Sequence, residues 1–171
     1  MFEVKSRVMY GRIGACEVMD ITGGDMFGKP DERYYILHPL FSDVISIITP
    51  VDKQKVTMRS LMSKQEILSL IDSLQGQTPA WETDDKLRNA NFTAAMNSGL
   101  CGEWITVIEL IRKNSEERLL MGKPLSQNDK SMMKDAKKLL YEEFSLSLNL
   151  RLEEVETYIV NRMSQSQKMV S

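Results

Sequence analysis

The stretch that decides the fold runs from Pro79 to Gly99, PAWETDDKLRNANFTAAMNSG, where strand-like sequence gives way to helical sequence around an isolated tryptophan, Trp81. Upstream of it lie short β segments separated by turns. Downstream, nearly every segment reads as amphipathic helix. Trp81 follows Gly76, Thr78 and Pro79 and precedes a helix start, so its ring stands at a boundary, either plugging a hinge against the helical core or meeting a partner. Thr83 is placed to cap that helix, Asp84 and Asp85 suit the positive end of its dipole, and Gly99 suits its C-terminal stop.

Working back from this junction, Phe2, Val4, Val8 and Tyr10 alternate with polar neighbours, and Ile13, Ala15, Val18 and Ile21 continue the pattern across a turn at Gly11 and Gly14. Thr22–Glu32 is rich in turn residues and joins two antiparallel strands. RYYILHP from Arg33 is a third strand, Val44–Pro50 a fourth, and Lys55–Met58 a fifth. Short antiparallel strands at this density predict a small, strongly bent sheet or barrel of the SH3 or Tudor kind. Ser63 with Glu66 forms a capping box, and Ile67, Leu68, Ile71 and Leu74 share one face of a helix that closes this first half.

Forward of the junction, Trp104, Val107, Ile108 and Ile111 line a further helix. Ser126 with Asp129 opens the next, through Met132, Met133, Ala136, Leu139, Leu140 and Phe144, and Leu152, Val155, Ile159 and Met163 make a last one. The polar tail from Ser164 is expected to fray. The fold class is therefore α+β: residues 1–60 a β domain, 61–80 a helix and linker, 81–163 a helical bundle of about five helices, and 164–171 a tail.

The 171 residues carry 22 Lys and Arg against 24 Asp and Glu, a net charge of -2, so any nucleic-acid footprint has to be local. From Arg112 to Lys138 there are 8 basic and 4 acidic residues, whereas Leu139–Val160 sets Arg151 against 5 glutamates. On the helix from Ser126, Lys130, Lys134, Lys137 and Lys138 recur at spacings of three and four and can share a side. Such a row is either a solvated face or a set of phosphate contacts. Cys16 and Cys101 lack metal-site or redox-motif spacing, which points to a reduced cytoplasmic protein without a structural metal. No signal-peptide core or membrane-length apolar run is present, so no membrane partner is expected.

Gly23–Pro30, GGDMFGKP, imitates a phosphate-binding loop, but Pro30 replaces the required hydroxyl and strand rather than helix follows it, which leaves a hairpin loop. His38, the single histidine, has no partner from which a catalytic triad or typical metal site could be built. No catalytic constellation, cofactor or small-molecule ligand is expected. The 12 methionines are spread as core fillers, and the apolar run VISII within Val44–Pro50 suits either a doubly buried strand or an edge open to a partner strand.

Four stretches together resemble the CarD family of bacterial transcription regulators: RVMYGRIGACEVMDI from Arg7, YYILHPLFSDVISIITPVDK from Tyr34, MNSGLCGEW from Met96 and GKPLSQNDKSMMKDAKKLL from Gly122. They lie in family order over about residues 1–160. Where the family usually has Tyr-Pro-x-His-Gly-Val-Gly, this chain has Tyr10-Gly11-Arg12-Ile13-Gly14-Ala15-Cys16, which keeps the strand–turn–strand pattern. The resemblance implies an N-terminal Tudor-like domain that docks on the RNA polymerase β subunit, and a helical domain that touches promoter DNA without sequence specificity at the upstream edge of the bubble. It implies no enzymatic activity. By the same resemblance Trp81 is a wedge in DNA, with Lys86, Arg88, Arg112, Lys113, Lys130 and Lys134 as its basic neighbours. Ile21, Thr22, Ile47, Ile48 and Pro50 are the corresponding polymerase-facing positions. The rival expectation is a protein–protein adaptor that works without polymerase.

Overall fold

A computed structural model of the chain describes residues 1–74 and 79–170. Gly76 and Thr78, and with them the middle of the expected linker, lie outside the described residues. The chain divides into two compact units, Met1–Leu61 and Met62–Ser171.

The first unit is a five-stranded antiparallel sheet in the order β4-β3-β2-β1-β5, with β1 at Arg7–Tyr10, β2 at Gly14–Gly23, β3 at Arg33–Pro39, β4 at Ile47–Pro50 and β5 at Met58–Ser60. Alternation decides what is buried: Val8, Tyr10, Cys16, Val18, Tyr35 and Leu37 form the core, and Phe2, Ile21, Ile47, Val51 and Met58 pack against it. Gly11 and Gly14 both take positive φ in the β1–β2 turn, as the sequence suggested. A register shift between Val18 and Asp20 marks a bulge in the long strand β2, which bends the sheet.

Two strand boundaries differ from the sequence expectation. The fourth strand begins at Ile47 rather than Val44, because the Val44 amide donates to Ser42 Oγ at 3.2 Å and leaves the ladder. The fifth begins at Met58, after a turn in which Lys53 holds φ of 55°. β4 lies at an edge of the sheet, so VISII is not a doubly buried strand.

The second unit holds α1 (Lys64–Ser73), α2 (Asp85–Ser98), α3 (Cys101–Leu120), α4 (Gln127–Leu148) and α5 (Leu152–Val170). The Ser63 capping box forms in both directions, with Glu66 N–H donating to Ser63 Oγ at 3.2 Å and Ser63 N–H to Glu66 Oε2 at 2.7 Å. This helix packs on α4 and α5 rather than closing the sheet unit. Its fully buried Ile67 and Ile71 belong to the helical core, and the Met62 amide ahead of it donates to the buried Glu143 carboxylate at 2.8 Å.

The α2 cap is Asp84, whose Oδ1 accepts from Leu87 N–H at 2.8 Å, and not Thr83. Glu82 Oε1 takes the Asp84 amide at 2.8 Å, which sets the cap one residue later than the hydroxyl suggested. Gly99 closes α2 with φ of 73°, and Ser126 caps α4 as expected. Trp104, Val107, Ile111, Ala136, Leu139, Phe144 and Val155 fill the centre. The tail expected to fray from Ser164 is instead helical through Val170. Arg162 and Ser166 both bond Asp72 on α1, at 2.6–2.9 Å, and tie those last turns down.

Methionine use is mixed: Met9, Met96 and Met132 are buried, whereas Met26, Met121 and Met169 stand in solvent.

Candidate nucleic-acid interface

Trp81 is half-buried just ahead of α2. Its ring meets Phe92 edge-on, with centroids 6.1 Å apart and planes at 68°, and the Arg88 guanidinium lies over it, 4.6 Å from the ring centroid. A groove of about 210 Å³ surrounds it, walled by Pro79, Arg88, Phe92, Thr106, Val107 and Leu110. The indole is therefore fixed in orientation while part of it faces solvent.

What fixes it is a cluster the sequence did not reveal. Arg88, Phe92 and Met96 recur every fourth residue, so Arg88 occupies an apolar-stripe position of α2 and is 6% exposed. Its Nη1 donates to the Glu82 carbonyl at 3.0 Å and its Nη2 to Asp85 Oδ1 at 2.6 Å. Its Nε stands 3.5 Å from Asp129 Oδ1 of α4, a carboxylate that is 2% exposed. Burial works against the charge of Arg88, but Asp85 and Asp129 outweigh it and leave the pKa above the ordinary arginine value. The other Asp129 oxygen accepts from Ser126 Oγ at 2.6 Å, so the residue that completes the α4 cap also anchors α2. Asn128 and Asn89 bond across the same two helices at 2.6 Å.

The sequence grouped Arg88 with the phosphate contacts, but its two terminal nitrogens bond Glu82 and Asp85 and its buried Nε faces Asp129 in an ion pair. An arginine in register with two buried apolar residues was the available signal, since such a position demands a buried carboxylate.

The remaining basic residues divide into two groups. Lys86 on α2, Lys113 on α3, and Lys130 and Lys134 one turn apart on α4 are exposed and carry no ion pair among the described residues. Arg112 is held by Glu109 at 2.8 Å and Glu116 at 2.6 Å, which raise its pKa; Lys137 pairs with Glu156 and Lys138 with Glu142, each at 3.0 Å. The lysine row on α4 is thus partly neutralised at its C-terminal end.

The sheet unit carries the other expected surface. Ile21 and Ile47 pack toward the core, Thr22 and Pro50 are half-buried, and Ile48 on edge strand β4 is 48% exposed. Ile45, just ahead of β4, is 86% exposed, and its carbonyl lies 2.9 Å from the Nδ1 of the exposed His38. The phosphate-loop imitation is a 3-10 turn over Gly24–Phe27, and the amides just after it bond back into the turn: Gly28 N–H to Asp25 O at 3.2 Å and Lys29 N–H to Gly24 O at 2.9 Å. Lys29 pairs with Glu32 at 3.3 Å, which raises its pKa. The turn offers phosphate no cradle.

Among the described residues no group of three or more His, Cys, Asp or Glu side chains is placed to hold a metal ion, and no helix is long and apolar enough to cross a membrane.

No curated protein matches the chain. The family model described as CarD, C-terminal domain, matches residues 69–160, a span that includes Trp81, the Arg88–Asp129 pair and the exposed lysines. That match covers more than half of the 171 residues, and an α+β chain with its sheet first and its helices second agrees with it, so the chain belongs to the CarD family of transcription regulators.

Proposed function

We propose that this protein is a non-enzymatic transcription regulator that docks on the RNA polymerase β subunit through the sheet unit and stabilises the open promoter complex through the helical unit. The observation that carries the reading is the preset indole of Trp81, held between Phe92 and the neutralised Arg88 with part of it facing solvent. An aromatic ring fixed before contact can occupy the place of an unstacked base without first losing its own freedom. Lys86, Lys113, Lys130 and Lys134 supply sequence-blind phosphate attraction from three helices of the same unit. Only a higher affinity for opened than for closed DNA shifts that equilibrium, and base-height stacking supplies the difference because a closed duplex presents no free base face.

The test is the lifetime of open complexes formed by the cognate bacterial polymerase, with no protein, with wild type and with Trp81→Ala. The expected result is a lengthened lifetime with wild type and none with a folded Trp81→Ala that still binds polymerase. An unchanged lifetime with wild type, at concentrations where polymerase is bound, would overturn the proposal in favour of an adaptor.

A further inference from the structure

The C-terminal end of α3 and the turn after it carry Leu119, Leu120 and Met121, which are 69%, 90% and 68% exposed. They are not unfilled core. The inner face of α3 runs through Trp104, Val107, Ile108, Ile111 and Asn114, and its period next brings Arg118 inward, leaving the three apolar residues outside the stripe.

Nor is the tip loose. Met121 and Lys123 N–H both donate to the Arg118 carbonyl, at 3.1 and 2.8 Å, and Gly122 N–H donates to Leu119 O at 3.0 Å, with Gly122 at φ of 69°. Arg118 Nε reaches across the turn to Pro124 O at 2.9 Å, which fixes a guanidinium beside the apolar side chains. Lys123, two residues past Met121, is exposed. Glu116 is engaged by Arg112, so Glu117 is the acid left beside these two cations.

We infer that this tip is a second apolar wedge for nucleic acid, with Leu119, Leu120 and Met121 as its blade and Arg118 and Lys123 as phosphate contacts on its flanks. The inference rests on the DNA reading of Trp81 above. Apolar side chains of this kind enter between base steps and unstack them when cations hold the backbone on either side. The cationic flanks and the continuing Lys130 and Lys134 select a polyanion over a neutral protein surface. Three residues at a helix end do not make the long apolar face that a membrane-surface helix needs. Leu110 walls the Trp81 groove and Leu120 lies ten residues further along the same helix, about 15 Å at the α-helical rise. That distance is roughly four to five base steps, so a duplex laid along α3 would span both wedges.

The experiment uses polymerase–promoter complexes with the full chain and 2-aminopurine placed at successive positions along the upstream edge of the bubble. Wild type is expected to brighten two positions separated by roughly four to five steps, each about threefold, as unstacking at each wedge requires. Leu120→Ser should lose the outer signal and keep the inner one, Trp81→Ala the reverse, and Leu120→Ser should melt as wild type does because the side chain is in solvent. A single signal that Trp81→Ala removes and Leu120→Ser leaves intact overturns the second wedge but not the proposed function. No signal with wild type overturns both. Loss of binding by Leu120→Ser to polymerase without DNA, or to phosphatidylserine–phosphatidylcholine vesicles, assigns the tip to another partner and also overturns the inference.

Discussion

At the scale of single residues, Arg88 separates two roles that a sequence cannot. If it met phosphate, lysine would replace it with little loss, because phosphate attraction follows charge. If it orients Trp81, lysine fails, because an ammonium cannot bond Glu82 and Asp85 and face Asp129 while lying flat over an indole. Arg88→Lys is therefore expected to shorten open-complex lifetime nearly as much as Trp81→Ala, with net charge unchanged; retention of the wild-type lifetime would return Arg88 to the phosphate contacts. Asp129→Ala leaves the guanidinium buried against an empty site and should cost about 3 kcal/mol in urea unfolding. Trp81→Ala gives up one edge-on ring contact and one cation–π contact on a half-buried side chain, so about 1–2 kcal/mol is expected and the unit should stay folded. Trp81 stood out in the sequence because an isolated aromatic between a proline and a cap has no periodic neighbours to explain it. Asp129 did not, because its capping role already accounted for it.

At the scale of elements, local rules set the helix ends and tertiary contacts moved them. The Ser63 box and the Gly99 stop were legible because each is a complete local motif, and Ser63→Ala should cost about 1 kcal/mol in thermal or urea unfolding. The α2 cap slipped from Thr83 to Asp84 because Glu82 captured an amide, a competition invisible to pattern matching. The α5 tail defeated the sequence for a longer-range reason: Asp72 lies 90 residues from Arg162. The paired Arg162 guanidinium, assisted by Ser166, holds the Asp72 carboxyl below its ordinary range. A depressed folded-state pKa means the contact contributes fully above the unfolded carboxylate value near about 3.9 and is lost as pH falls through the lower folded value. Amide exchange of the last two turns of α5, corrected for intrinsic rate, should thus show the same protection at pH 7 and pH 5. Asp72→Asn should weaken that protection at both. Protection equal to wild type would mean that backbone propensity, not this pair, holds the tail.

At the scale of the whole molecule, a net charge of -2 has to be reconciled with the proposed DNA contact. A strongly basic protein would coat DNA wherever it found it; a nearly neutral one with a few free lysines needs its local concentration raised. The proposed docking of the sheet unit would do this, since linking two weak contacts makes the second intramolecular and can gain a factor on the order of 10² or more without any new DNA contact. Ile48 is the residue to change, because it is exposed on edge strand β4 and flanks the buried Thr49, so a charge there meets a partner before it meets the core. Ile48→Asp is expected to melt like wild type yet to need on the order of 10²-fold more protein to reach the wild-type open-complex lifetime. The same plateau at higher concentration is what a tether predicts. A lower plateau at every concentration would mean that the sheet unit acts on polymerase itself, and an unshifted titration would move the docking surface away from β4.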